Sequence, residues 1–143
     1  MVQRKDPINN YNFRVEIDGI QVAGFSEASG LESTIETIDY REGGDNTTVR
    51  KLPGKTTYTD IVLKRGTTDG DNTLYDWHRQ TVLGQIDRKS GSIIVCDRAG
   101  QEKLRYNFVN AWPMKWDPAD YNATGKEVAI EGVTLTCEGL ELA

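Results

Sequence analysis

The chain has 143 residues, is 37% hydrophobic and 27% charged, and carries a formal net charge of −5. A chain of this length is expected to form one domain, residues 1–143, and to bury a core without disulfides or metal. The excess of acidic residues, and the lack of a cluster of basic residues along the sequence, argue against a protein that binds nucleic-acid phosphates. No apolar run approaches membrane-spanning length, so no membrane anchoring is expected. The N-terminal MVQRKDPINNYNF lacks the apolar centre of a signal peptide, which predicts synthesis in a reducing cytoplasm.

The N-terminal third has the pattern of β-structure. In YNFRVEIDG, Phe13, Val15 and Ile17 alternate with charged residues, as in a half-buried strand. Asp18-Gly19 has the composition of a tight turn, which predicts a hairpin in which IQVAGFSEASGL returns beside the first strand. ESTIETIDYR is another alternating run and predicts a further strand.

A long polar connection follows. In REGGDNTTVRKLPGKTTYTDIVLKRG the first half is flanked by glycine and broken by Pro53-Gly54, whereas the second half alternates like a strand. In that strand, Ile61, Leu63 and Arg65 face the same way. Connections inside compact domains are usually short, and long ones tend to be functional or disordered. This connection is therefore the first candidate for a functional surface.

One segment, residues 73–83, has helical periodicity. Asn72 or Thr73 can cap its start, because Thr73 followed by Asp76 three residues later resembles a capping box. Gly84 is placed to end the helix. The residues that recur on the apolar side at helical spacing are Leu74, Trp77, His78, Thr81 and Val82.

Strands resume after the helix. A turn is predicted at Ser90-Gly91, before GSIIVCD, and another in DRAGQ. KLRYNFVNAW alternates and predicts a strand. Pro113 and Pro118 bracket PMKWDP, which has the composition of an irregular corner.

In the last segment, EVAIEGVTLTCEGLEL, the apolar residues do not all fall on one face of a regular strand. Ile130 would lie on one face, and Val133 and Leu135 would lie on the other. Because a slip of one residue reverses every side chain, the change predicts a β-bulge near Gly132. The fold class predicted by the whole pattern is mainly β: an antiparallel β-sandwich or near-barrel with one short α-helix, residues 73–83.

The residue types that carry chemistry form no recognisable site. His78 is the only histidine, and since no nucleophile or acid is marked beside it, we interpret it as a packed side chain. Counted from Asp69, DGDNTLYD lacks the glycine and the glutamate that a calcium loop requires. Cys96 and Cys137 lie in apolar strand-like runs and are interpreted as reduced, buried thiols. No catalytic residue, metal site or cofactor is predicted.

Two classes of function stay open at this point. One is a subunit whose function is assembly, and the other is a β-sandwich module that binds a ligand such as a carbohydrate. Trp77, Trp112 and Trp116 would supply a binding platform in the second class. Packing in the core and at the predicted corner is the favoured interpretation of these tryptophans.

Several segments form an ordered set along the chain. They are DPINNYNFRVEIDG, GFSEASGLE, YREGG, RKLPG, LKRG, the Trp-containing helix, NAWPMKW and EVAIEGVTLTCEGLE, and they span nearly all of it. In this order they resemble the inner tail tube proteins of contractile injection systems. The resemblance is strongest to extracellular contractile injection systems and related phage tails, and more distant to type VI secretion tube proteins.

The resemblance implies a fold of two packed β-sheets, nearly a barrel, with a helix on one side. It also implies hexameric rings that stack into a hollow tube inside a contractile sheath, with baseplate or tube-initiator proteins and a terminal cap as further partners. Protein effector cargo would pass through the lumen, and the tube would belong to a phage tail or an extracellular phage-tail-like particle. Head-to-tail rings use two different surfaces of each subunit, and edge strands can pair across them. The family has no catalytic residues to carry over.

The resemblance also implies a role for the long connection, as a projecting hairpin that contacts a neighbouring ring. Leu52 and its apolar neighbours would supply contact area, and the basic residues would pair with an acidic partner. We expect the segment to lie outside the strands and to need a partner for its order. The alternative is a mobile surface loop. The residues of the predicted interface are Asn46, Thr47, Thr48, Val49, Arg50, Lys51, Leu52, Pro53, Gly54 and Lys55.

Overall fold

A computed structural model describes residues 12–18, 25–41, 43–44, 48–66, 71–118 and 129–143. These residues form mainly antiparallel strands with one short helix, which confirms the predicted fold class. No helix in these ranges has the length and apolar character needed to span a bilayer. The elements are β1 (Asn12–Ile17), β2 (Phe25–Ser29), β3 (Ser33–Tyr40), β4 (Arg50–Tyr58), β5 (Ile61–Gly66), α1 (Thr73–Val82), β6 (Lys89–Cys96), β7 (Glu102–Asp117), β8 (Ile130–Thr136) and β9 (Gly139–Leu142).

The strands divide into a large sheet and a small one. The large sheet has seven strands in the order β1-β6-β7-β8-β5-β2, with β9 also paired to β7. Its two end strands, β1 and β2, contact each other, so the sheet curls nearly into a barrel. The small sheet consists of β3 and β4 alone.

The long strand β7 lets the sheet curl. Its first part pairs with β6 and β9, and its second part pairs with β8. Between them Asn110 adopts a left-handed conformation with φ of 52°, which asparagine tolerates better than most residues. Its side-chain amide donates to Glu138 Oε2 at 3.0 Å. Irregular pairing at this point and again after Pro113 bends the strand from one part of the sheet to the other.

The core lies inside the curled sheet, closed on one side by α1. Leu74 and Trp77 of α1 are buried, and the helix packs on β7. The Trp77 indole N–H donates to the Asp87 carbonyl at 2.9 Å, so this large ring is buried with its polar atom satisfied. Other core residues are Ile17, Ile61, Leu63, Ile93, Phe108, Ala111, Val133 and Leu135.

The predicted hairpin at Asp18-Gly19 cannot be placed, because Gly19 and residues 20–24, which would return beside β1, lie outside the described residues. Among the described strands, β1 pairs with β6 and β2 pairs with β5, at opposite ends of the large sheet. The Asp18 backbone N–H donates to the Ser90 carbonyl at 3.0 Å, which continues the pairing with β6. The pairing of β1 with β6 joins residues more than 70 positions apart in the chain and could not be predicted from local sequence patterns.

The predicted turn at Ser90-Gly91 is wrong, because both residues lie within β6. Gly91 is paired with Ile17 on one side and with Phe108 on the other. A Cβ at Gly91 would lie 2.3 Å from the Glu16 carbonyl oxygen and 2.6 Å from Phe108 Cζ. Glycine is needed here for close packing in the middle of a sheet.

The predicted corner between Pro113 and Pro118 is a strand. β7 continues through Asp117, and Pro113 is buried beside a register shift that leaves Met114 as the extra residue. A proline is tolerated at a bulge because the missing N–H is not required there. The bulge predicted near Gly132 is wrong, because the extra residue in the pairing of β7 with β8 lies on β7.

Strand β8 itself is regular. Its pairing with β5 runs without a shift from Leu135 to Ile130. Glu131 points inward, and Ile130 is 42% exposed. The alternation of apolar residues is interrupted because a charged residue takes an inward position, while the backbone register stays the same. The sequence pattern gave no sign of this because the compensating cation lies on another strand.

The helix begins and ends close to the predicted bounds. Gly84 has φ of 84° directly after the last turn, which confirms its predicted role. The predicted capping box is wrong: Asn72 makes no side-chain capping bond, and Asp71 accepts the Thr73 backbone N–H at 3.2 Å instead. Val82, predicted on the apolar side, is 69% exposed.

Candidate assembly interface

Strands β3 and β4 form a two-stranded antiparallel ribbon separate from the large sheet. STIETIDY is rich in β-branched residues, which favour extended backbone. Pairing runs from Ser33–Tyr58 at the base to Tyr40–Arg50 near the tip. Among the described elements, neither strand packs substantially on any element but the other.

The Pro53-Gly54 break lies inside the ribbon, in β4. The register shifts between Ile35 and Thr37, so that two residues of β4 oppose one of β3, as in a β-bulge. A Cβ on Gly54 would come within 3.1 Å of the Glu36 carbonyl oxygen and the Ile38 side chain, so the bulge suits glycine. The expectation that Leu52 lies outside the strands is therefore wrong, since it is paired with Ile38.

The base of the ribbon is fixed to the large sheet through Thr59. The Thr59 backbone N–H donates to the Glu32 carbonyl at 3.1 Å, and its hydroxyl donates to the Gly30 carbonyl. Gly30 has φ of 87°, and a Cβ there would lie 1.9 Å from the Asp60 carbonyl oxygen. This close approach of two backbones fixes the point at which the ribbon leaves the large sheet.

The ribbon is exposed on both sides. Every residue of β3 is exposed, and in β4 only Gly54 and Tyr58 are partly covered. Alternation along the strands gives it two faces. The Leu52 face carries Ile38, Tyr40 and Leu52, and the Ile35 face carries Ile35, Thr37 and Pro53. The exposed fractions are 54% for Ile35, 48% for Ile38, 47% for Tyr40 and 46% for Leu52.

The predicted interface residues fall mostly in one strand of this ribbon. Thr48 and Val49 precede β4, and residues 50–55 lie within it. Asn46 and Thr47 lie outside the described residues. The strand paired with β4, which is β3, carries Ile35, Ile38 and Tyr40, which are also exposed and were not among the predicted residues.

A buried ionic cluster lies where β5, β8 and the start of α1 meet. Arg65 is 1% exposed, and its Nε lies 2.5 Å from Glu131 Oε1 while its Nη1 lies 2.6 Å from Asp71 Oδ2. The Trp116 indole N–H donates to Glu131 Oε2 at 3.2 Å. Each charge is thus paired and hydrogen-bonded, as burial requires.

The cluster shifts the pKa values of two of its members, Asp71 and Arg65. Hydrogen bonds to Asp71, first from Arg65 and then from Thr73, hold the pKa of the Asp71 carboxyl well below its usual range. Burial alone would lower the pKa of Arg65, but Asp71 and Glu131 outweigh it and raise that pKa. Arg65 and Asp71 therefore stay charged at neutral pH, and their ion pair joins the large sheet to the start of α1.

The remaining candidates have packing roles. His78 Nδ1 lies 3.1 Å from the Pro113 carbonyl oxygen, which matches its interpretation as a packed side chain. Cys96 and Cys137 are free thiols, the first buried and the second only half-buried. Burial raises the pKa of the Cys137 thiol, which makes it less reactive. The described residues contain no cluster of three or more side chains able to hold a metal ion.

Comparisons with known proteins agree with this architecture. The family model described as T4-like virus tail tube protein gp19 matches residues 9–141. A chain of the PVC sheath–tube complex, an extracellular contractile injection system in its extended state, is 30% identical with a TM-score of 0.87, over 96% of this chain and 91% of that one. A chain from the tube-terminating cap of the anti-feeding prophage is 29% identical with a TM-score of 0.88, over 100% of this chain and 95% of that one.

A more distant likeness concerns the fold alone. Hcp1 from Salmonella typhimurium is 12% identical, with a TM-score of 0.54 over 92% of each chain. No curated protein sequence matches the chain significantly.

Proposed function

This chain belongs to the T4-like virus tail tube protein gp19 family, and from that membership we propose that it is the repeating subunit of the inner tube of a contractile injection particle. In this proposal residues 1–143 form one tail-tube domain. Subunits assemble as hexameric rings, and rings stack around a hollow lumen through which protein effector cargo passes. The chain is a tail tube protein of the contractile injection type and a structural protein, not an enzyme.

The observation that carries the stacking proposal is the exposed β3–β4 ribbon. A two-stranded ribbon with no layer against it is marginally stable in water, so a partner surface is expected. Ile38 and Leu52 face each other across the ribbon while about half exposed. We therefore assign the predicted interface to residues 46–55 together with the paired residues of β3.

Ring closure would use the open edges of the large sheet. Strands β1 and β2 each pair on one side only within the described residues. Exposed edges of this kind are templates for pairing with another chain. Because a ring is a head-to-tail assembly, one edge of each subunit would meet a different surface of the next.

The proposed partners outside the tube follow from the relatives. The PVC relative comes from a sheath–tube complex and the anti-feeding prophage relative from a tube cap. We propose a contractile sheath around this tube, a cap at one end and baseplate initiator proteins at the other. Its place would then be an extracellular phage-tail-like particle or a phage tail.

The ligand-binding alternative has no specific observation in its favour. Trp77 is in the core, and Trp116 packs against Tyr75 with ring centroids 4.9 Å apart and bonds Glu131. These two tryptophans therefore do not form an open platform with each other.

The test is electron microscopy of native particles and of the recombinant chain supplied with its baseplate. Tubes with sixfold rings in cross-section are expected. A chain that remains monomeric beside an otherwise complete particle, or that binds glycans saturably on an array, would contradict the proposal.

A further inference from the structure

The two most exposed large apolar side chains among the described residues lie at the end of α1. Val82 is 69% exposed and Leu83 is 66% exposed, and Ile86, just after the helix, is 50% exposed. A group of large exposed apolar side chains on one part of a surface marks a contact site. Leu74 and Trp77 already fix α1 to the core, so the exposed group is not needed to fold the subunit. We call Val82, Leu83 and Ile86 the α1 knob.

An apolar cleft lies at the seam between β1 and β2, the two end strands of the large sheet. Its volume is about 260 Å³, and its apolar lining is Phe13, Ala28, Leu31, Ile93 and Val95. Glu27 also lines it and forms only a long ion pair with Lys64, at 3.8 Å. Within the described residues, β1 and β2 touch at the seam but are not paired with each other. The cleft is therefore a gap in the wall of the near-barrel.

The α1 knob and the cleft lie on opposite sides of the subunit. In the large sheet β7 is separated from β1 by β6, and from β2 by β8 and β5, so β7 lies across the near-barrel from the seam. The helix α1 packs on β7, and the segment after the knob rejoins the sheet at the bend of β7, where Lys89 pairs with Ala111. A subunit therefore cannot place its own knob in its own cleft.

We propose that the α1 knob of one subunit fills the β1–β2 cleft of the next subunit in the ring. The inference rests on the proposed ring assembly and names the surface that meets the open sheet edge. An apolar projection on one side of a molecule and an apolar cleft on the other side make a head-to-tail contact, as a ring requires. Charge agrees with this pairing: residues 79–86 contain one base, Arg79, and no acid, whereas the residues that line the cleft contain one acid, Glu27, and no base. The next acid after the knob, Asp87, is paired with Lys89 at 3.0 Å.

The contact would continue the core of one subunit into the surface of the next. Ile93 belongs to the core, and Phe13, Ala28 and Leu31 pack against it at the seam. Filling the cleft removes these side chains and the knob from water together, and the apolar area buried stabilises the assembly. An open row of subunits leaves one knob and one cleft in water, whereas a closed ring leaves none. The contact therefore favours complete rings over partial ones.

Directed disulfide formation in assembled tubes tests this contact. Leu83→Cys in the knob is combined with Ser26→Cys beside the cleft in one full-length chain. Oxidation is expected to link each subunit to the next and to give a ladder that ends at the complete ring on a non-reducing gel. The control chain combines Leu83→Cys with Lys115→Cys, an exposed position on β7 away from the seam, and should give no ladder. The native cysteines remain in both chains.

A charge substitution supplies a second readout. Leu83→Asp should reduce the number of rings by at least about tenfold, because the contact would bury an unpaired charge. Gln80→Asp is the matched control, on the exposed side of the same helix but outside the knob, and should assemble normally. Since Leu83 is exposed in the subunit, thermal melting should show that both variants are folded as stably as the parent chain.

The outcomes separate this contact from the ring assembly on which it rests. If sixfold rings form but the Leu83–Ser26 pair links no better than the control pair, the knob does not fill the cleft, and the proposed ring assembly stands. Normal rings from the Leu83→Asp chain would overturn the contact in the same way. If the parent chain forms no rings in native particles, both proposals fail.

Discussion

Arg65 and Glu131 form a buried salt bridge between β5 and β8, with 2.5 Å between Nε and Oε1. Glu131 holds the Trp116 indole with its other oxygen, and Arg65 reaches Asp71 before α1. One cation thus joins two strands to the start of the only helix in the described residues.

Replacing this cation should be costly. Arg65→Met leaves Glu131 buried without its counter-charge, and we expect the free energy of unfolding to fall by about 3–5 kcal/mol. Urea denaturation followed by circular dichroism measures the loss. The double variant Arg65→Met/Glu131→Leu should recover part of it, because no buried charge then remains unpaired. An Arg65→Met variant as stable as the parent chain would show that this ion-pair cluster contributes nothing to the free energy of unfolding.

Low pH should weaken the same ion-pair cluster, because Asp71 becomes protonated. Its folded-state pKa is depressed, so between the folded and unfolded values the unfolded chain binds more protons and stability rises with pH. The contribution is complete at neutral pH and is lost as pH falls below the unfolded value of about 4. Urea denaturation from pH 3 to pH 7 measures this slope. Asp71→Asn should lower stability at pH 7 and flatten the slope. Asp76→Asn, in the first turn of α1, is the control for the loss of one carboxylate.

The thiols should react slowly and in a fixed order. Cys96 is 2% exposed and Cys137 is half-buried, so a maleimide should modify Cys137 first in the folded chain. The raised pKa of Cys137 reduces its thiolate fraction and slows the reaction further. Mass spectrometry against time, with urea-unfolded protein as the reference, gives both rates. Rapid modification of Cys96, or an intramolecular disulfide in fresh particles, would contradict this expectation.

Gly91 should not tolerate a side chain. Gly91→Ala places a methyl group against the Glu16 carbonyl and the Phe108 ring, and overpacking of this kind costs about 1–3 kcal/mol. Gly43→Ala is the control, since nothing lies within 4 Å of its added Cβ. Thermal melting should show a clear loss for the first variant and little change for the second. Equal melting temperatures would mean that β6 and β7 can move apart without cost.

The sequence alone predicted the features that depend on local periodicity. The alternation in β1 and β5, the helical spacing after Asn72 and the end of the helix at Gly84 are each encoded by neighbours in the chain. The ordered segments predicted the family, because they preserve its sequence of elements. The predicted interface residues 50–55 lie on an exposed surface, while their role in stacking stays a prediction.

The tertiary structure decided what depends on distant partners. Turn-forming residues at Ser90-Gly91 predicted a local reversal, but both residues lie within β6, where Gly91 allows the close approach of β1 and of Phe108. The apparent parity change near Gly132 was Glu131 facing Arg65, 66 residues earlier in the chain. The pairing of β3 with β4 in a separate two-stranded ribbon was likewise visible only in the structure. The alternation of apolar residues in the sequence shows which side of a strand is apolar. Which elements pack against that side is decided by long-range contacts.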